Sequence, residues 1–169
     1  MDKKERNEKI EQYGRGYDLL TAALADLPRE AWDFKASPAD WSVHEIIVHM
    51  GDSESMSALR VRKLIVEPRS TLMGYEEAKW ADALDYKDQD VQDSLEIIRL
   101  ARQSTYRLLK TLPDEVFTHS VKHAEYSEPY TFEKWLNIYA HHIPDHIEQM
   151  QKSYKAWKNR DKQSLESGE

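Results

Sequence analysis

From Ile10, apolar side chains recur every third or fourth residue through Tyr13, Tyr17, Leu20, Leu24 and Leu27, and the run stops at Pro28. This spacing predicts one long helix with a single buried stripe. Gly14 and Gly16 weaken it by about 1 kcal/mol each relative to alanine. After Ser37-Pro38-Ala39-Asp40-Trp41, Ser42 and Glu45 stand three residues apart as a capping box. The stripe Val43, Ile46, Ile47, Met50, Val61, Leu64, Ile65 then predicts a helix over 43–67, closed by Pro68. Positions 69–89 have no clean period. Tyr75, Trp80 and Leu84 anchor a short helix there, and connections this long in compact domains often carry function.

A third long helix carries Val91, Leu95, Ile98, Tyr106, Leu109 and Leu112 and ends at Pro113. Residues 114–130 read as extended or irregular, with Pro129 as a breaker. Thr131 caps a fourth helix holding Phe132, Trp135, Leu136, Tyr139, Ile143, Met150, Tyr154 and Trp157. Pro144 lies inside it and removes the backbone bond to the Ala140 carbonyl, which predicts a kink. The polar tail after Asn159 is expected to fray. The result is an all-α fold, a four-helix bundle with long connections between helices. It is expected to be one domain over residues 1–158, followed by the tail 159–169.

Composition narrows the chemistry by exclusion. The chain has 169 residues, 24 basic against 31 acidic side chains and a formal charge of -7, which argues against general nucleic-acid binding. It has no cysteine, so disulfides, thiolate nucleophiles and Cys-ligated metals are ruled out. No apolar run approaches the roughly 20 residues of a membrane span, and Met1-Asp2-Lys3-Lys4-Glu5 does not lead into a signal-peptide core. A cytoplasmic protein without a membrane partner is expected.

The chemistry that remains lies with seven histidines: His44, His49, His119, His123, His141, His142 and His146. His142 and His146 are four apart on a helix, so both imidazoles project from one face about one turn apart. Stepping from Trp135 through Tyr139 leads to His142, and His146 lies one turn before Met150; both fall on the inward stripe, where an apolar side chain is expected. Two imidazoles in a core need partners, because a buried unpaired polar group costs about 1–3 kcal/mol. A shared divalent ion would satisfy both. His49, at the edge of the second helix's stripe, can supply a third ligand, whereas His44 is about 140° away around that helix. The run from His44 to His49 is one residue too long for the zinc-protease HExxH pattern. Three neutral histidines with an open position describe a catalytic metal site; core histidines held by hydrogen bonds are the alternative. Imidazoles suit Zn and Ni foremost, with Fe and Mn as further candidates.

Asp52 and Glu45 are the nearest carboxylates by sequence for a base. Arg60, Arg62, Lys63 and Arg69 cluster near the end of the second helix, either as an anion site at a pocket mouth or as cations favourable at a helix C-terminus. Trp80 is a pocket-lining candidate. His119 and His123 read as surface residues, and Tyr126 and Tyr130 as packing.

Four stretches resemble a known family. Trp41-Ser42-Val43-His44-Glu45-Ile46-Ile47-Val48-His49-Met50-Gly51-Asp52-Ser53-Glu54 is similar to the signature of the DinB/YfiT-like superfamily. Arg60-Val61-Arg62-Lys63-Leu64 and Tyr75-Glu76-Glu77-Ala78-Lys79-Trp80 resemble its YfiT-like branch. Tyr139-Ala140-His141-His142-Ile143-Pro144-Asp145-His146 resembles its closing His-x-x-x-His helix. The resemblance implies an up-down-down-up four-helix bundle, a homodimer, and a divalent metal held by His49, His142 and His146. It also implies a metal-dependent enzyme of small molecules, either a hydrolase or an S-transferase using a low-molecular-weight thiol such as bacillithiol or mycothiol as co-substrate. Two departures bear on the substrate environment: Pro144 stands between the two ligands, and Asp145 stands where YfiT-like sequences often carry another histidine. A non-catalytic bundle clipped by a metal is the alternative to the enzyme.

Overall fold

In the computed structural model, which describes the backbone of residues 1–166 and the side chains of residues 1–160, the four long helices are present but the first is broken. Asp2 accepts from the Glu5 amide to start α1, Lys3–Gly14, and α2 follows as Gly16–Ala25, with Arg15 between them. Both glycines at the break make room for side chains of another helix. A Cβ at Gly14 would lie 2.6 Å from the Tyr106 ring, and one at Gly16 would collide with the Arg102 guanidinium.

The two glycines are therefore not mere defects in a helix. Helix propensity alone credits Gly16→Ala with about 1 kcal/mol. Displacing a buried, hydrogen-bonded guanidinium costs about 1–3 kcal/mol in overpacking. The second effect outweighs the first, so Gly16→Ala is expected to lower stability by about 1 kcal/mol; a higher urea midpoint for the variant would refute this account of the break.

Helix α3, Val43–Val66, starts with both halves of the capping box in place. The Glu45 amide donates to Ser42 Oγ at 3.2 Å, and the Ser42 amide donates to Glu45 Oε2 at 2.8 Å. The connection over 69–89 contains β1, Thr71–Leu72, then α4, Glu77–Ala83, then a 3-10 turn over Tyr86–Asp88 that buries Tyr86. Helix α5 spans Val91–Leu109, with Asp90 accepting from the Gln92 amide. The stretch 114–130 forms a 3-10 turn and a hairpin: β2 is Ser120–His123 and β3 is Tyr126–Thr131. The strands form one sheet in the order β1-β2-β3, with β1 parallel and β3 antiparallel to β2. Pro129 is tolerated because β3 is an edge strand.

Helix α6, Phe132–Glu166, continues through Pro144 and beyond Asn159; residues 167–169 of the expected tail lie outside the described residues. In the bundle α3 packs on α5 and α6, while α1 and α2 pack on α5 and α6. The pairs α1–α2 with α3, and α5 with α6, therefore lie across the two diagonals. One apolar cluster, with Tyr13, Val61, Leu64, Leu109 and Trp135, adjoins the sheet. A second, with Leu20, Ile46, Met50, Ile98 and Ile143, fills the other end. Between them runs a polar layer: Glu54 and Ser57 on α3, and Arg102 and Thr105 on α5, are all buried.

Candidate metal centre

The polar layer is where the histidines converge. His49 is delivered by α3, and His142 and His146 by α6. Each offers one ligand nitrogen, and the three nitrogens lie within 4.8 Å of one another. The ring centroids are 5.7 Å apart for His49 and His142, 5.0 Å for His49 and His146, and 4.6 Å for His142 and His146. The Trp41 ring lies 4.8 Å from that of His49 and covers it from the loop before α3.

The donors have the chemistry a divalent ion needs. Burial, then the neighbouring His146 and His142, pushes His49 down to about 3. Burial, then His142, pushes His146 down to about 4. Both are therefore neutral near pH 7, as metal ligation requires. His146 Nδ1 lies 2.9 Å from Gln149 Oε1, which can only accept, so that nitrogen carries the proton and Nε2 keeps its lone pair. His49 Nδ1 is buried with no hydrogen-bond partner. The residues fit a divalent ion.

Two charged residues that sequence reasoning overlooked set the frame for this cluster. Glu54 is 0% exposed and Arg102 1% exposed. Arg102 Nε and Nη2 donate to Glu54 Oε1 at 2.9 and 2.7 Å. Arg102 Nη1 donates to the Tyr13 carbonyl and Nη2 to the Tyr139 carbonyl, each at 2.8 Å. Glu54 Oε1 also lies 3.7 Å from His142 Nδ1. Burial alone would raise the Glu54 carboxyl, but the Arg102 cation and His142 outweigh it and hold it below the usual range. A carboxylate beside an imidazole is the arrangement that orients a ligating histidine. On the other side, Ser53 Oγ is 3.3 Å from His142 Nε2.

The remaining candidates separate. Glu45 is committed to the capping box and to Lys35, whose Nζ donates to it at 2.8 Å. Asp52 accepts from the Tyr86 hydroxyl at 2.6 Å. The carboxylate that reaches the histidines is Glu54 instead. Arg62 lies about 140° around α3 from His49 and ties α3 to α5 through Ser104 and Thr105. Arg60 does reach it indirectly: its Nη1 donates to the Tyr139 hydroxyl at 3.1 Å, and the Tyr139 ring is 5.7 Å from that of His142. Trp80 packs on Tyr75, with ring centroids 4.7 Å apart.

His44 contacts the Gln89 carbonyl, and His141 the Asn137 carbonyl, outside the cluster. His119 and His123 are corrected. His119 Nδ1 is held 2.9 Å from the Leu64 carbonyl, and His123 is buried at the end of β2 against Tyr130. The expectation of surface residues failed because the hairpin folds onto the bundle. Tyr130 is buried, and Tyr126 is exposed.

The family model of the DinB superfamily matches residues 12–150. A curated relative from Bacillus subtilis (strain 168), named "Putative metal-dependent hydrolase YfiT", is 29% identical over 107 residues, 63% of this chain and 60% of its own length. The chain thus spans less than two thirds of that relative. A second of the same descriptive name, from Oceanobacillus iheyensis, is 29% identical over 129 residues, 76% of this chain and 74% of its own. The solved structure of YfiT from Bacillus subtilis, described as a probable metal-dependent hydrolase with an unusual four-helix bundle topology, has a TM-score of 0.85 at 23% identity. It covers 94% of this chain and 90% of that one, and establishes the fold.

Proposed function

This chain belongs to the DinB superfamily, and on that premise we propose that it is a metal-dependent enzyme of small molecules in which His49, His142 and His146 hold one divalent ion. The observation that carries the reading is the convergence of three imidazole nitrogens within 4.8 Å, two of the rings being held neutral by burial. The names of the relatives support metal dependence and hydrolysis. When bound, such an ion supplies Lewis-acid activation of a water, for hydrolysis, or of a substrate thiol, for S-transfer.

The chain's own residues supply the setting. Glu54 stands 3.7 Å behind His142 Nδ1, placed to orient the ring, and Ser53 places a hydroxyl at its front edge. Trp41 shields His49 from water. With no cysteine in the chain, the sulfur in the S-transfer version arrives with a low-molecular-weight thiol. The same reading takes a homodimer and neither nucleic acid nor membrane as partner. Among the described residues, no helix is long and apolar enough to cross a membrane.

The test is the metal content of untagged protein. Wild type is expected to carry about one divalent ion per chain, as expected of a three-ligand site, and His142→Ala/His146→Ala to carry none. Turnover in hydrolysis and thiol-transfer screens is expected to vanish with the ion. A wild type that ignores added Zn and Ni, or whose turnover survives in a folded His49→Ala variant, would sink the proposal.

A further inference from the structure

We propose that Arg60 binds a compact oxyanion, a carboxylate or a phosphate, carried by the substrate beside the three histidines. This deepens the reading above and rests on it only for the identification of the ligand as a substrate.

The helix places Arg60 there. Eleven residues separate it from His49, a rotation of about 20°, so His49, Ser53 and Arg60 share one face of α3. Helical side chains lean toward the N-terminus, so Arg60 leans toward the histidines. On α6, Tyr139 lies one turn before His142 and meets the guanidinium with its hydroxyl.

What surrounds the guanidinium points to an anion. Among the described residues no carboxylate lies within ion-pair distance of the half-buried Arg60, whereas Arg102, the buried arginine of the polar layer, is fully engaged by Glu54. Burial works against the Arg60 charge, and the side-chain group that accepts from it is the neutral Tyr139 hydroxyl at 3.1 Å. Four polar atoms here are buried without a hydrogen-bond partner: Arg60 Nε, Tyr75 Oη, Tyr130 Oη and His123 Nε2. They form two pairs, with the rings of His123 and Tyr130 stacked at 5.3 Å and the Arg60 guanidinium 5.8 Å from the Tyr75 ring, and the Arg60 charge is near enough to act on both His123 and Tyr130. Each orphan is costly if left so. An oxyanion answers the charge and accepts from several donors at once, which a neutral ligand does not. The outer edge of the guanidinium lies toward the surface: Nη2 donates at 3.1 Å to the carbonyl of Met73, a residue that is 71% exposed.

The experiment is calorimetric titration of the full, metal-stripped chain with succinate, inorganic phosphate and neutral succinamide, comparing wild type with Arg60→Gln and Tyr75→Phe. Wild type is expected to bind at least one anion, and to do so at least about tenfold more tightly than Arg60→Gln. Tyr75→Phe, which removes a single hydroxyl, is expected to weaken binding about threefold, and succinamide is expected not to bind. Whichever of succinate and phosphate binds better identifies the oxyanion as carboxylate or phosphate.

Equal affinity in wild type and both variants, binding of neither anion, or equally good binding of succinamide would each overturn the site, leaving the orphan donors to water. Circular dichroism of the variants guards against misfolding. Metal content separates the two readings. A chain that takes up no ion but binds anions through Arg60 refutes the metal centre alone, and one that binds the ion without Arg60-dependent anion binding refutes the oxyanion site alone.

Discussion

Glu54→Ala is expected to cost about 3–5 kcal/mol of stability at pH 7, because it leaves a buried guanidinium without its anion. For a domain of this size that is a fall in Tm of about 10 °C. Arg102 is only 1% exposed and cannot turn to water without leaving the Tyr13 and Tyr139 carbonyls. Removing both charges, as Glu54→Gln with Arg102→Met, is expected to recover about half the loss, since an absent pair needs no compensation while the two carbonyls stay unpaired. Urea denaturation of Glu54→Gln, Arg102→Met and the double variant in chelator measures the coupling. Additive losses would mean the two groups do not act as a pair. Glu54→Gln, which keeps the shape but not the charge facing His142, is also expected to weaken metal binding by about 10–100-fold.

In the metal-free chain, lowering the pH from 7 to 5 is expected to remove about 4 kcal/mol through His49 and His146. The sign follows from their burial. Both are held below the ordinary histidine value of 6.5, at about 3 and about 4, so in this window they stay neutral in the fold and take up protons when unfolded. The unfolded state binds more protons, and stability falls as pH falls, by about 2 kcal/mol for each imidazole over these two pH units. His123, lowered by burial and then by Arg60, adds to the same slope. Glu54 does not contribute here. Its carboxyl is lowered, so its stabilisation is fully present above the unfolded value of about 4.3 and is lost only below that. Urea midpoints at pH 7 and pH 5 test this, with His49→Leu and His146→Leu each expected to remove about half of the loss. A pH-independent midpoint would show that the imidazoles are not held neutral.

The parts of the molecule legible in the sequence are those governed by local period. The stripes from Val43 and Val91 locate α3 and α5 to within a few residues, and Ser42 with Glu45 places the start of α3. His142 and His146 stand out because they occupy stripe positions, and they do meet His49. The same signal was present for the Glu54–Arg102 pair. The α3 stripe jumps from Met50 to Val61, and the missing turns fall on Glu54 and Ser57; on α5 the gap from Ile98 to Tyr106 falls on Arg102. Opposite charges at inward positions of two neighbouring helices mark a buried pair.

Proximity along the chain misled where competition for a side chain decides. Glu45 lies near His49 in sequence, yet the capping box that the sequence predicts already engages it, and Asp52 is taken by a tyrosine from the connection after α4. The sheet was hidden because β1 has two residues and pairs with a strand on the far side of α5. The break at Arg15 was hidden because its cause, the bulk of Tyr106 and Arg102, belongs to another helix.

The Arg102 guanidinium touches every long helix of the bundle: its own stem is on α5, Glu54 is on α3, and the two carbonyls are on α1 and α6. A core divided into two apolar clusters would otherwise invite the halves to open separately. Here, any helix that peels away strips a partner from a buried charge or strands a carbonyl, so each partial excursion incurs an electrostatic penalty on top of its lost apolar contact. That shared penalty couples the sheet end to the far end and makes the bundle a single cooperative unit, with the three histidines placed where opening is most costly.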